Sequence, residues 1–204
     1  GFVTHAAQLA DDAAARRWPE KESGLINDLR SQLKGFQDNI DTMGQATGQL
    51  LAVKGQLDTL SGQDNTERYT RLIRTPAISA EDAYKIYDFL FLISNVKDQA
   101  WAMRLSGADS DRTELNKRWQ QAQASYEALL KSIPAAQQQP FTDVWKTITD
   151  YKTLNERYQT AFNNLKAAED RVKVSGDNSS ATIKQLITLV KAQNDELAYG
   201  SASV

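Results

Sequence analysis

From Leu25 onward, apolar residues recur in alternating steps of four and three: Leu29, Leu33, Phe36, Ile40, Met43, Leu50 and Leu57, with Thr47 and Lys54 in the same series. That spacing keeps side chains on one stripe of a helix. It predicts a long helix over 23–61, packed in coiled-coil manner and interrupted at Thr47 and Lys54. Ser23 is the expected N-cap and "SGQDN" (Ser61–Asn65) the expected stop. About 38 residues at 1.5 Å rise make a rod of roughly 57 Å. Ahead of it, residues 1–22 form a short alanine-rich helix and a break at "WPE" (Trp18–Glu20), because proline disfavours helical backbone in its predecessor.

A short helix is expected over 64–75, ended by Pro76. Ser79 then caps a new helix, with Glu81 and Asp82 in the first turn where the helix dipole favours anions. Residues 79–172 are the expected central helices. Around Ile86–Val96 apolar residues cover most of the circumference, the pattern of a helix touched on several sides. "SGADSD" (Ser106–Asp111) makes a polar break, with Asp111 and Glu114 in an N-capping arrangement. Leu115, Trp119, Ala122, Tyr126, Leu129 and Ile133 step four and three again. After the polar link "PAAQQQP" (Pro134–Pro140), Phe141, Trp145, Ile148, Tyr151, Tyr158, Phe162 and Leu165 mark another long helix. "SGDNSS" (Ser175–Ser180) is the expected break before a C-terminal helix over 179–198. No strand alternation and no internal repeat appear. The pattern predicts an all-α, elongated antiparallel bundle of about six helices, without a sheet, forming a single helical domain over 1–204.

Ten glycines and four prolines in 204 residues agree with long helices. A net charge of −2 gives no electrostatic case for nucleic acid or an anionic membrane surface. There is no cysteine, so disulfides, thiolate metal sites and a cysteine nucleophile are excluded. The longest apolar run, Ile86–Val96, is too short to span a bilayer and carries Asp88 and Asn95. The chain begins at Gly1 without methionine, which suggests a processed chain or excised fragment; any membrane attachment is expected through segments outside it.

The one histidine, His5, cannot supply the paired Glu-x-x-His ligands of a helical di-iron site, and a Ser/His/Asp triad would rest on it alone. Neither a Gly-rich phosphate loop nor a zinc-protease or serine-hydrolase motif occurs. The expectation is a non-enzyme without metal or cofactor. Gly44 and Gly48 share the spacing of close-packed membrane helices, but their polar surroundings favour a tolerated small patch.

Three sets of residues could bind a ligand. Trp101 and Arg104 lie one turn apart and share a face: a flat wall beside a planar fork for a carboxylate. Arg71 and Arg74 form a second pair before Pro76, and Arg112 joins Arg118 and Trp119 in a third group. Each has a plainer explanation, since arginines commonly pair with nearby carboxylates and tryptophans commonly fill bundle cores. Tyr84, Tyr87, Trp145, Tyr151 and Tyr158 could line a cavity, but at helical spacing they are expected in the core.

The stretch "LISNVKDQAWAMRLSGADSDRTELNKRW" (Leu92–Trp119) resembles the extracytoplasmic sensor domains of bacterial chemoreceptors and sensor kinases, of helical bimodular, four-helix or nitrate-sensing type. "FTDVWKTITDYKTLNERYQTAFNNL" (Phe141–Leu165) looks like their long return helix, and the resemblance spans residues 79–198. It implies a periplasmic or extracellular domain that recognises a small molecule, such as an anion, and answers with a small helix displacement. Trp101 and Arg104 are then wall and clamp. The first 60 residues lack the Arg-rich first helix of those domains, so no anion-binding arginine carries over there. The competing expectation is a secreted or periplasmic part of a secretion or conjugative pilus apparatus, or an adhesin or effector, acting through exposed apolar surface on a protein partner. A homodimer fits either class.

Overall fold

Helix caps and tight turns divide the chain more sparingly than its sequence suggests. The computed structural model describes residues 1–16, 18–61 and 66–202. Six helices, α1 (Phe2–Ala14), α2 (Glu20–Ser61), α3 (Thr66–Ile73), α4 (Ala80–Ser106), α5 (Asp109–Ser132) and α6 (Gln139–Ala202), form an all-α helical bundle, with no strand among the described residues. The expected stop after Ser61 lies, beyond that residue, outside the described part of the chain. No described helix is long and apolar enough to cross a membrane.

Ser79 caps α4, its hydroxyl accepting from the Asp82 N–H at 3.1 Å, with Glu81 and Asp82 in the first turn. Gly107 ends α4 at φ 63°, and its N–H returns to the Met103 carbonyl at 2.8 Å. After extended Ala108, α5 begins at once at Asp109. The connection is therefore two residues long, and Asp111 lies inside α5 instead of capping it. Its carboxylate serves the turn: it accepts from the Ser106 hydroxyl and from Gln99 Nε2 at 3.2 Å. Ser23 is likewise no cap. Its N–H bonds the Pro19 carbonyl at 2.9 Å, and α2 starts at Glu20 behind a proline whose φ is already helical.

Two further expectations change. Along α2, Thr47 and Lys54 are exposed, while buried Ala46 and half-buried Val53 occupy the stripe. Two successive steps of three (Ile40, Met43, Ala46) shift the seam by one residue, so it runs on without polar interruption. More substantially, Ser175–Ser180 do not break the chain; α6 runs continuously for 64 residues. Asn39 Nδ2 donates to the Ser175 hydroxyl at 2.6 Å, and Gly176 lies under the Phe36 ring, 3.5 Å from where a Cβ would stand. Small side chains here let α2 approach closely, and tertiary packing overrides weak helix propensity.

Contacts cluster into two compact units: Gly1–Gly48 with the chain from Asn163 onward, and Gln49–Phe162. In the first, Ala10, Leu29 and Leu33 pack with Ile183 and Leu186. Gln193 Nε2 donates to the buried Glu22 carboxylate at 2.8 Å; with the Asn39–Ser175 bond, this pairs α2 antiparallel to α6.

The second unit holds the larger core, from Leu57, Tyr69, Ile86, Phe89, Val96, Met103, Leu115, Leu129, Phe141 and Ile148. Phe89 is fully buried and meets Tyr126, Phe141 and Trp145 at ring centroids of 5.9, 6.4 and 6.4 Å. Trp145 stacks on Tyr126 at 4.8 Å and lies 4.7 Å from Trp119. Tyr151 is buried as expected, but Tyr84, Tyr87 and Phe91 are exposed. So α4 is not central: one face fills the core and the opposite apolar face is open.

Gly176→Ala is expected to raise stability by up to about 1 kcal/mol, because a helix-interior glycine loses that much relative to alanine and the new methyl meets Phe36 at ordinary distance. Thermal denaturation checks it; a lower Tm would count against helix at this point. Burial raises the Tyr69 phenol above its usual pKa, with Asp143 adding to the shift and Arg68 opposing it. The neutral phenol therefore contributes stability that is complete below about pH 10 and lost as pH rises through the folded value. Between pH 9 and 11, wild type should lose stability relative to Tyr69→Phe in paired denaturant titrations.

Candidate functional site

Because α4 and α5 are joined by only two residues, the last turn of one lies beside the first turns of the other. Gln99 Nε2 donates to the Asp111 carbonyl at 2.9 Å, and Arg118 reaches the Asn95 carbonyl at 3.3 Å. The middle of α6 closes this corner. Met103, Arg112, Asn116, Glu156, Gln159 and Thr160 line a cavity of about 280 Å³. Glycine is favoured at 107 by its left-handed backbone, and a Cβ there would also stand 3.2 Å from Gln159 Nε2, pressing that side chain aside.

Arg104 and Arg112 both belong to this corner. The Arg104 guanidinium lies over the Trp101 ring at 4.5 Å and faces the Tyr158 ring at 5.8 Å. Its Nε is buried and, among the described residues, has no hydrogen-bond partner. The other charges nearby are already engaged: Glu156 pairs with Lys152 at 2.6 Å, and Asp111 is held by Ser106 and Gln99. Neither Arg104 nor Arg112 has a carboxylate partner among the described residues, whereas Arg118 pairs with Glu114 at 3.1 Å. Of these two cations, Arg112 lines the small polar cavity, and Arg104 follows the lining residue Met103 in the chain, held against Trp101 and Tyr158.

Trp101 departs from the expected wall. Its ring is 56% exposed and does not line the cavity; it covers one face of Arg104. Trp119 packs on Trp145 and takes the Lys152 ammonium at 5.2 Å, so it belongs to the core edge. Arg71 and Arg74 are exposed at the end of α3, beside which Arg68 pairs with Asp143 and Tyr69 stacks on Phe141. Asp143 and Gln159 are separated by sixteen residues of α6, roughly 24 Å. These two arginines therefore do not join the corner.

Gln99, Asn116, Glu156 and Gln159 were not singled out from the sequence. A signal existed only for a neighbour of this set: the apolar series along α6 skips from Tyr151 to Tyr158, and fully buried Asn155 fills the gap. Its Nδ2 donates to the Tyr151 carbonyl at 2.8 Å, while its Oδ1 has no partner among the described residues. His5 is exposed, and no cluster of metal-ligating side chains occurs among the described residues. Gly44 and Gly48 are exposed with open space around them, so they mark no close contact.

No family model, no curated protein and no solved structure matches the chain.

Proposed function

We propose that the chain is a non-enzymatic ligand-binding domain that senses a small anion, with a carboxylate as the favoured group, in the manner of the extracytoplasmic sensor domains it resembles. One observation carries the proposal: Arg112 lines a cavity of about 280 Å³ without a carboxylate partner among the described residues, and Arg104, next in the chain to the lining residue Met103, buries an Nε–H without an acceptor. A buried donor left unmade costs about 1–3 kcal/mol, which an incoming oxygen acceptor recovers. A guanidinium fork suits carboxylate geometry, and its aromatic neighbours hold it flat. Asn116 lines the same cavity with its amide, and Thr160 with a hydroxyl that donates to the Glu156 carbonyl at 3.2 Å and keeps acceptor capacity.

The response follows from where the groups sit. Arg104 is on α4, Arg112 on α5, and Glu156 and Gln159 on α6. A ligand bound to all three helices stabilises the arrangement that brings them together, so it shifts the balance between two positions of the α4–α5 hairpin against α6. An interaction protein acting through a protein partner is the second reading. The exposed aromatic residues of α4 favour it.

Thermal shift against small mono- and dicarboxylates, nitrate and amines tests the first reading. A ligand at 100 times its Kd is expected to stabilise the fold by about 2.7 kcal/mol. Arg112→Ala and Arg104→Ala should each abolish that gain, while Lys166→Ala, an exposed change elsewhere, leaves it intact. A response that survives both arginine changes removes the proposal, and so does silence across the anions.

A further inference from the structure

The outward face of α4 carries Tyr84, Tyr87, Phe91, Ser94, Asp98, Trp101 and Leu105, in unbroken alternation of three and four. All seven are exposed, and the five large ones expose 76, 59, 64, 56 and 73% of their surface. This is a coiled-coil seam without a partner helix. At 150–250 Å² per aromatic side chain, its four rings offer roughly 500 Å². Leu105 and the Tyr158–Phe162 ring stack beside Arg104 extend it toward the roughly 800 Å² per partner of a stable interface.

We propose that this face binds a second copy of the same chain, α4 against α4, antiparallel about a two-fold axis. In an antiparallel pair each a position meets a d position of the other helix. With Tyr84, Phe91 and Asp98 as a and Tyr87, Ser94 and Trp101 as d, Tyr84 stacks on Trp101 of the second copy and Phe91 covers Ser94. Tyr87 presents its phenol O–H to Asp98, and the symmetry makes every layer twice. Parallel pairing instead sets Asp98 against Asp98 in the seam, an unfavourable like-charge layer.

The flanking charges favour the same direction. Beside the seam, the first half of α4 carries Glu81 and Asp88 against Lys85 alone, Asp82 being turned to Ser132 of α5; the second half carries Lys97 and Arg104 against Asp98 alone. Antiparallel packing lays the acidic half of each copy along the basic half of the other, and opposes the helix dipoles. This contact uses the outer face of α4 and not the cavity, and it shares with the anion reading only Trp101 and Arg104.

Sedimentation velocity over micromolar to millimolar concentration should give a monomer–dimer equilibrium. Tyr87→Glu with Phe91→Glu should weaken it by at least about tenfold while leaving circular dichroism unchanged, because both side chains are exposed. The chain has no cysteine, so Glu81→Cys provides a unique spin-label site. In the antiparallel register the two labels stand roughly 35 Å apart along the helices at 1.5 Å per residue. A parallel pair holds them near the interaxial spacing of about 10 Å. A chain monomeric throughout, a dimer indifferent to the double substitution, or a short label distance would each overturn the proposal.

Discussion

The fully buried Phe89 ring, wedged among Tyr126, Phe141 and Trp145, sets the register of α4, α5 and α6 in the larger unit. An α-helix is stiff along its axis, so a contact that fixes one turn fixes the positions several turns away. Trp145 touches Tyr126 and Trp119 together and thereby holds two successive turns of α5 against α6. Each such pair contributes about 0.5–1.5 kcal/mol beyond its area burial. From this anchor α4 runs fifteen residues to Arg104, and α6 runs from Trp145 fourteen residues to Gln159. The corner where they meet owes its geometry to that stack. Packing alone sets the Arg104 and Arg112 arrangement, and under the proposed anion reading that lowers the entropic cost of binding.

Polar groups, by contrast, specify the smaller unit. A buried carboxylate at Glu22 with Gln193, and Asn39 with Ser175, fix α2 against α6 there, around a modest apolar cluster at Ala10, Leu29 and Leu33. Buried polar pairs are costly when misaligned, so they select one register more sharply than apolar contacts of the same size. Small residues from Ser175 to Thr182 serve this polar seam, which is why a segment of low helix propensity stays helical.

Helix existence was legible throughout, because heptad spacing is strong over four long segments. Boundaries were less so. Ser23, Asp111 and Ser175–Ser180 have cap or turn chemistry that local sequence cannot distinguish from a side chain facing a neighbouring helix. Which aromatic residues lie outward was also hidden: Tyr84, Tyr87 and Phe91 look like core on a helix whose two opposite faces are both apolar. Of the candidate site, Arg104 and Arg112 were singled out by residue type, and the two-residue turn at Gly107 joins the helices that carry them. Arg71 and Arg74 were chosen by the same rule, yet they stand exposed at the end of α3, the helix whose Arg68 pairs with Asp143. Glu156 and Gln159 escaped notice because a polar residue on a long amphipathic helix usually faces solvent.

Nitrogen-edited NMR of the arginine side chains is the most direct measurement, since it reads the Nε–H group on which the account depends. Titration with a small carboxylate should shift the Arg104 and Arg112 Nε–H signals together and saturably, with Arg71 and Arg74 unmoved. Uniform, unsaturated shifts across all four, or none at Arg104, would contradict a specific anion site at this corner.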